Sequence, residues 1–329
     1  NPGGTACFWA VWGGAPGNLW LAADQTWTTP MGGEFAGHWI GGGEMSVNNQ
    51  GDALFVQAAH FGGDDYSYGL WLERDGAIEA VCFEGMPAPG GLTYTQADHW
   101  SGEINTHGDT LFRAVVQGPG VTPDNNHVLV RRLADGGQTQ IARKGAQAPR
   151  LLNGVTLQAI GWFGDALLND GRVVFGSTVT GPGISAINDK ALWITRPGAE
   201  HALLIRTGQA MVVGGQLRHV ESFFPSLGLG SESGYERGVS EYGQVAMLVH
   251  FTDGTQAVIV ASPHSACPGD ANGDGVVNFL DVNIVLGAFN TSGDVVPGDM
   301  NLDGKVDFAD LNMALNNFNE SCQTGPVAR

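Results

Sequence analysis

One octapeptide recurs five times in residues 1–262, and a chain made of such copies is expected to fold as a series of similar units. The copies are NPGGTACF (from residue 1), NNQGDALF (48), NTHGDTLF (105), LNDGRVVF (168) and SEYGQVAM (240). Each has glycine at its fourth position and Phe or Met at its eighth. The pattern predicts a tight turn followed by a β-strand whose apolar end is buried.

A second apolar segment follows each octapeptide. These segments are NLWLA (18–22), GLWLE (69–73), HVLVR (127–131), ALWIT (191–195) and QAVIV (256–260). In the middle copies a third element follows, as in FEGMPAPGG (83–91). With copies 47 to 72 residues apart, we expect a mostly β fold, a propeller-like array of about four to five antiparallel blades. A β-sandwich or a solenoid is the alternative.

The repeats do not end on a whole unit, because four full copies are followed by only two strands of a fifth. A closed ring of blades would then need extra strands from an insertion such as 216–239, or a blade formed by the two terminal parts of the repeat domain together. The third option is an incomplete edge, and unpaired strand edges recruit other chains.

The composition excludes several classes of protein. The 329 residues include 51 Gly, 15 Lys+Arg and 33 Asp+Glu, for a net charge of -18. So acidic a chain is repelled by nucleic acid and by anionic membrane surfaces. Glycine weakens helix interiors, which argues against long helices. No apolar run reaches the ~18 residues of a membrane span.

The C-terminal segment contains two twelve-residue loops of one pattern, DANGDGVVNFLD (270–281) and DMNLDGKVDFAD (299–310). Calcium takes six to eight oxygen ligands, which such a loop supplies from positions 1, 3, 5, 7, 9 and 12. The predicted ligands of two Ca²⁺ ions are Asp270, Asn272, Asp274, Val276 (carbonyl), Asn278, Asp281, Asp299, Asn301, Asp303, Lys305 (carbonyl), Asp307 and Asp310. Gly275 and Gly304 stand at position 6, where the chain turns sharply.

Each loop runs into a short apolar helix pattern without the entering helix of an EF-hand, and in this the segment resembles a type I dockerin. The sequence CPGDANGDGVVNFLDVNIVLGAFN is similar to the dockerin-like repeats at the C-terminus of many secreted planctomycete-type proteins. In that family loop positions 10 and 11 contact a cohesin partner and are often Ser-Thr. Here they are Phe279-Leu280 and Phe308-Ala309. The resemblance therefore implies a partner-contact surface at these four residues that is more apolar than usual.

The β-repeats resemble the NxxGxxxF tandem-repeat family of secreted bacterial proteins, which carries no established activity. The predicted domains are a β-repeat domain (1–262), a linker (263–266), a dockerin-like calcium domain (267–322) and a tail (323–329).

Four cysteines allow three pairings. A disulfide between Cys267 and Cys322 would close the calcium domain at its base, and Cys7 and Cys82 would then be left to pair with each other. The alternative is that all four cysteines are free thiols. Disulfides would place the protein in an oxidising, extracytoplasmic compartment. The absence of Met at Asn1 is what a processed, exported protein would show, and equally what a trimmed chain would show.

No familiar catalytic motif occurs in the sequence. Asp64-Asp65 is a candidate sugar or ion site, although such pairs are usually solvated. Trp20, Trp71 and Trp193 share one repeat position and are expected in the core, while Trp9, Trp12, Trp27 and Trp39 either pack or bind a glycan or a subunit.

Three functions follow, in order of preference. The first is a secreted or cell-surface, non-enzymatic, calcium-binding structural protein that assembles with neighbouring copies through its dockerin-like segment, for example in a filament or surface layer. The second is a glycan- or surface-binding module attached to a cohesin-like scaffold protein. The third is a secreted glycoside hydrolase with a dockerin.

Overall fold

The chain is mostly antiparallel β-structure, which confirms the expected fold class at that level. A computed structural model describes residues 6–10, 18–23, 26–28, 42–60, 66–75, 77–98, 102–196, 199–227, 237–241, 243–261, 269–271, 276–292, 298, 300 and 305–320. Five sheets and two short α-helices lie in this part of the chain.

The sheets follow the order of the repeats. The first contains β1 (Ala6–Ala10), β2 (Asn18–Ala23) and β3 (Thr26–Thr28), and the second β4 (Gly42–Val47), β5 (Ala53–His60), β6 (Tyr66–Arg74) and β7 (Ala77–Cys82). The third has β8 (Pro87–Ala88), β9 (Leu92–Ala97), β10 (Glu103–Ile104), β11 (Thr110–Gln117), β12 (His127–Arg132) and β13 (Gln138–Arg143).

The last two sheets have four strands each. The fourth contains β14 (Thr156–Leu167), β15 (Val173–Thr180), β16 (Lys190–Arg196) and β17 (Ala199–Arg206), and the fifth β18 (Ala210–Val213), β19 (Gln216–Pro225), β20 (Val245–Phe251) and β21 (Gln256–Ala261). Strands in these sheets and in the first two pair in chain order; the third runs β13-β12-β11-β9-β8, with β10 beside β11. The helices are α1 (Phe279–Gly287) and α2 (Phe308–Asn316).

The sheets are offset from the sequence repeats by one strand. Each octapeptide leads into β1, β5, β11, β15 or β20, but the long strand that closes a repeat pairs with the next repeat. Thus β4 pairs with β5 and β19 with β20. The two strands of the fifth copy therefore share a sheet with β19 of the fourth, which gives that incomplete copy a partner.

The octapeptide forms the predicted turn. In each of the four copies within the described residues, the fourth-position N–H donates to the first-position carbonyl, and the first-position N–H donates to the fifth-position carbonyl. Gly51, Gly108, Gly171 and Gly243 have φ between 78° and 93°, a left-handed conformation that favours glycine. The residues at the eighth position, Phe55, Phe112, Phe175 and Met247, are buried, as predicted.

Asparagine at the first position links one repeat to the next. The Asn48 side-chain amide donates to the Asn105 carbonyl (3.1 Å), and the Asn105 amide donates to the Leu168 carbonyl (3.1 Å). The Oδ1 of Asn105 also accepts the N–H groups of His107 and Asp109 at 3.0 Å each. Both asparagines are fully buried, so these hydrogen bonds replace ones that water would otherwise make.

The second and third sheets pack face to face through one apolar cluster. The second sheet contributes Leu54, Val56, Leu70, Leu72, Val81 and Cys82; the third contributes Ala88, Leu92, Tyr94, Ala97, Ile104, Phe112, Ala114, Val116, Val128 and Val130. Alternate residues of β5 and β6, Leu54 with Val56 and Leu70 with Leu72, point into this cluster, as the period of two in a strand requires.

The chain divides into two compact units, each made of three segments. One comprises Asn1–Gly145, Gly164–Val173 and Leu227–Arg237, and the other Ala146–Phe163, Val174–Ser226 and Gly238–Arg329. The predicted linker at 263–266 lies outside the described residues. Neither described helix is long and apolar enough to span a membrane.

Candidate metal centre

Positions 9 and 12 of each predicted calcium loop form the start of a helix. Asn278 caps α1: its Oδ1 accepts the Leu280 N–H (2.7 Å), and its own N–H donates to Asp281 Oδ2 (2.8 Å). Asp307 caps α2 in the same way, with Ala309 N–H to Asp307 Oδ1 (2.7 Å) and Asp307 N–H to Asp310 Oδ2 (2.9 Å). These reciprocal capping boxes fix four of the predicted ligands.

The position-12 carboxylates are fully buried. Asp281 and Asp310 have no exposed surface, and Asp310 Oδ1 also accepts the Met300 N–H (2.8 Å). A buried carboxylate needs hydrogen-bond donors or a cation to offset the loss of water. The chemistry of these oxygens, held rigidly at a helix start, fits a hard cation such as Ca²⁺.

The two loop–helix units cross-pair with approximate two-fold symmetry. Val277, in the first loop, donates to Glu320 O (3.0 Å) and accepts from Asn319 N (2.8 Å), both beyond α2. Val306, in the second loop, donates to Thr291 O (3.0 Å) and accepts from Asn290 N (2.8 Å), both beyond α1. Each loop is therefore stabilised by the other unit's helix end.

Two glycines that the sequence interpretation missed allow this pairing. A Cβ on Gly269 would lie 2.7 Å from Met313 O in α2, and one on Gly298 would lie 2.9 Å from Val285 Cα in α1. Both have positive φ, 105° and 90°. The signal was present, since a Pro-Gly pair precedes the first Asp of each loop.

The structure places only part of the predicted ligand set. Asp270, Val276, Asn278, Asp281, Lys305, Asp307 and Asp310 lie within the described residues, whereas Asn272, Asp274, Asp299, Asn301 and Asp303 lie outside them. In the described part of the chain, no cluster of three or more His, Cys, Asp or Glu side chains could hold a metal ion. Calcium binding therefore remains a prediction.

The predicted partner-contact residues lie on the surface. Phe279 is 71% exposed and Phe308 68%, and Leu280 and Ala309 are also exposed. Phe279 contacts Phe318 and Phe289 contacts Phe308 in edge-on ring pairs, with centroids 4.8 and 5.0 Å apart. Leu286 and Leu315, each seven residues after a phenylalanine, extend the exposed surface; that helical spacing could have identified them.

The Cys7 side chain lies outside the described residues, so the Cys7–Cys82 disulfide stays a prediction. Cys82 lies at the end of β7, buried in the apolar cluster between the second and third sheets. Burial raises the pKa of this thiol, because the thiolate would lose its hydration. Cys267 and Cys322 lie outside the described residues, so their disulfide stays a prediction.

Of the other candidate residues, Trp193 is confirmed in the core. It is fully buried, stacks on Phe175 with centroids 5.5 Å apart, and donates its Nε1–H to Pro149 O (2.9 Å). The side chains of Trp9 and Trp27, together with Trp12, Trp39 and Asp64-Asp65, lie outside the described residues.

Asp165 is one of several buried acidic residues in the β-repeat part. Arg113 Nε lies 3.4 Å from Asp165 Oδ2 and 3.6 Å from Asp98 Oδ2. Burial raises the pKa of Asp165 to about 6; Arg113 lowers it and Asp98 adds to the rise.

Asp165 predicts a pH dependence of stability. The pKa of Asp165 is higher in the folded state than in the unfolded state, so the native protein binds this proton more tightly. The stability that protonated Asp165 contributes is therefore lost as pH rises from about 4 to about 6. Asp165→Asn should remove this loss, on the order of 2 kcal/mol at pH 7. Urea unfolding of wild type, Asp165→Asn and the exposed control Asp170→Asn at pH 4 and pH 7 measures it. Equal pH dependence in all three would refute the assignment.

Comparison with known proteins gives one family and a set of distant structures. No curated protein matches the chain in sequence. The subtype N11 neuraminidase-like protein of A/flat-faced bat/Peru (H18N11) is 8% identical, with a TM-score of 0.29 over 77% of this chain and 68% of that one. An α-L-arabinofuranosidase from Clostridium thermocellum is 12% identical, with a TM-score of 0.27 over 77% of this chain and 85% of that one. Such TM-scores carry no inference about activity. Residues 3–268 match the model of a family of unknown function, DUF7453, and the chain therefore belongs to that family.

Proposed function

We propose that this chain is a secreted, non-enzymatic structural protein that binds two calcium ions and assembles with neighbouring copies through its dockerin-like segment, 267–322. The β-repeat part, with its five antiparallel sheets, forms a propeller-like array that carries this segment. Its calcium ligands are the twelve loop residues named above.

The exposed apolar surface of α1 and α2 carries the proposal. Phe279 and Phe308 are about 70% exposed at equivalent positions of the two units, beside Leu286 and Leu315. Large exposed apolar side chains on a small domain are characteristic of protein–protein contacts. Aromatic side chains at the centre of an interface supply much of its binding energy.

Charge explains why assembly would require calcium. Copies with a net charge of -18 repel one another. The loops add several carboxylates close to the exposed phenylalanines, so their neutralisation by Ca²⁺ would lower the repulsion where the copies meet. The same ions would stabilise the capping boxes that position Phe279 and Phe308 at the first turn of each helix.

Sedimentation velocity in excess calcium and in EDTA tests this function. Wild type should show a larger mass in calcium, and Phe279→Lys with Phe308→Lys should lose that increase. Ile187→Lys with Leu133→Lys, two exposed apolar residues of the β-repeat part, adds the same charge and should leave it intact. An identical mass of wild type with and without calcium would contradict the proposal.

A further inference from the structure

The fifth sheet has an apolar face that is exposed across three strands. Phe224 in β19 lies opposite Leu248 in β20, which lies opposite Val258 in β21. Their exposed fractions are 55%, 36% and 76%, and Val260 adds 59%. Residues in direct register share one face of a sheet, so these four side chains form a continuous patch.

The same positions are buried in the preceding sheets. The register pairs Phe55–Trp71, Phe112–Val130, Phe175–Trp193 and Met247–Ile259 align the repeats. Val258 then corresponds to Leu70, Leu129 and Leu192, all with 0% exposure. Val260 corresponds to Leu72 and Ile194, which are also fully buried, and in the third sheet to Arg131, which is half-buried and pairs with Asp109. The repeat therefore encodes a covered face that is open in the fifth sheet.

The second sheet shows what covers such a face. Its Leu70 and Leu72 pack against the third sheet, which contributes the register pair Phe112 and Val130. Such a face is thus covered by the next sheet in the chain. The contact is made by the eighth residue of that sheet's octapeptide and by the residue paired with it on the neighbouring strand.

The position of β21 at the edge of its sheet does not explain the exposure. An edge position would expose Val258 and Val260 alone. Leu248 lies on the interior strand β20, and Phe224 lies on β19, the far side of β20 from the edge, yet both are exposed on the same face. In the part of the chain that the structure describes, no layer covers this face.

We propose that this face is the docking surface for the first sheet of a second copy of the chain, joined head to tail. The first sheet has the required register pair, Phe8 opposite Trp20. Its three strands, ACFWA, NLWLAA and TWT, contain no charged residue. In the fifth sheet His250 is in register with Ser222 and Gln256, and Glu221 is exposed at the β-bulge beside Ser222. Surfaces with so few charges let copies of a strongly acidic chain approach.

The face is open in the single chain, and a heterologous contact of this kind extends a row of repeats from one copy into the next. The first sheet of one copy would occupy the place that a sixth sheet would take on the other. This inference uses residues outside the calcium loops and does not rest on the proposed function, since the contact should persist in EDTA.

Light scattering in EDTA over a range of concentrations tests the interface. The mass of wild type should rise above the 34.5 kDa of one chain as concentration increases. Val258→Lys should remain at that mass, whereas Ile187→Lys, an apolar loop residue of similar exposure (72%), should behave as wild type. A wild type that is monomeric throughout would overturn the inference. So would a Val258→Lys variant that melts earlier without any change in mass, because a segment of the same chain would then cover the face.

Mixing identifies the partner surface. Trp20→Lys alters the first sheet and should also abolish association, provided its far-ultraviolet circular dichroism matches wild type. An equimolar mixture of Trp20→Lys and Val258→Lys retains one intact copy of each surface and should form a dimer and nothing larger. If Trp20→Lys still self-associates, or the mixture stays monomeric, the first sheet is not the occupant.

Discussion

Chelation of calcium is expected to unfold residues 267–322 at a lower temperature than the β-repeat part. Asp281 and Asp310 are fully buried at the helix starts, where each accepts a backbone hydrogen bond, and a bound cation would further offset the burial of their charges. A ligand present at ~100 times its dissociation constant contributes about 2.7 kcal/mol per site. Two sites would therefore supply most of the stability of a segment whose core is small.

Differential scanning calorimetry with calcium and with EDTA measures this effect. Asp281→Ala and Asp310→Ala should each lower the melting temperature of the segment in calcium and reduce its response to EDTA. Glu320→Gln removes an exposed acid of the same segment and should respond as wild type does. A thermogram that EDTA leaves unchanged would show that these loops do not bind calcium with useful affinity.

Asn105→Ala is expected to cost about 3 kcal/mol of folding free energy, because it leaves one buried and one partly buried N–H group without an acceptor and removes a link to the next repeat. His107 N and Asp109 N would lose Asn105 Oδ1, and Leu168 O would lose the amide donor. For a domain of this size the loss lowers the melting temperature by roughly 10 °C.

Asn126→Ala is the matched control for that variant. The Asn126 Oδ1 is buried with no hydrogen-bond partner, so this truncation should cost much less than that of Asn105. Thermal unfolding followed by circular dichroism compares the two variants. Equal losses would mean that the Asn105 bonds contribute no more than an ordinary buried amide does.

The turn at each repeat could be predicted because it is local. Glycine at the fourth position and an apolar eighth residue determine a conformation and a buried end within eight residues, and the four copies in the described residues share it. The starts of α1 and α2 could be predicted in the same way. Asn278 and Asp307 are each followed by an Asp at the third position after them, which is the pattern of a capping box.

The strand offset between repeats could not be predicted, because strand pairing depends on which partner is nearby in space. Nothing in the sequence near β19 shows that it pairs with β20 of the following copy. The environment of Cys82 could not be predicted for a related reason. Counting cysteines gives the possible disulfide partners, but the burial of Cys82 depends on the packing of the second and third sheets.

The repeated turn, the mostly β fold class and the pattern of the two calcium loops follow from the amino-acid sequence, because each depends on residues a few positions apart. Which faces of the sheets are covered follows from the packing of the sheets in three dimensions. Val258 and Leu192 occupy equivalent strand positions and are both aliphatic, yet one is 76% exposed and the other fully buried. Burial depends on whether another layer packs against the sheet, and residue type alone does not encode that neighbour.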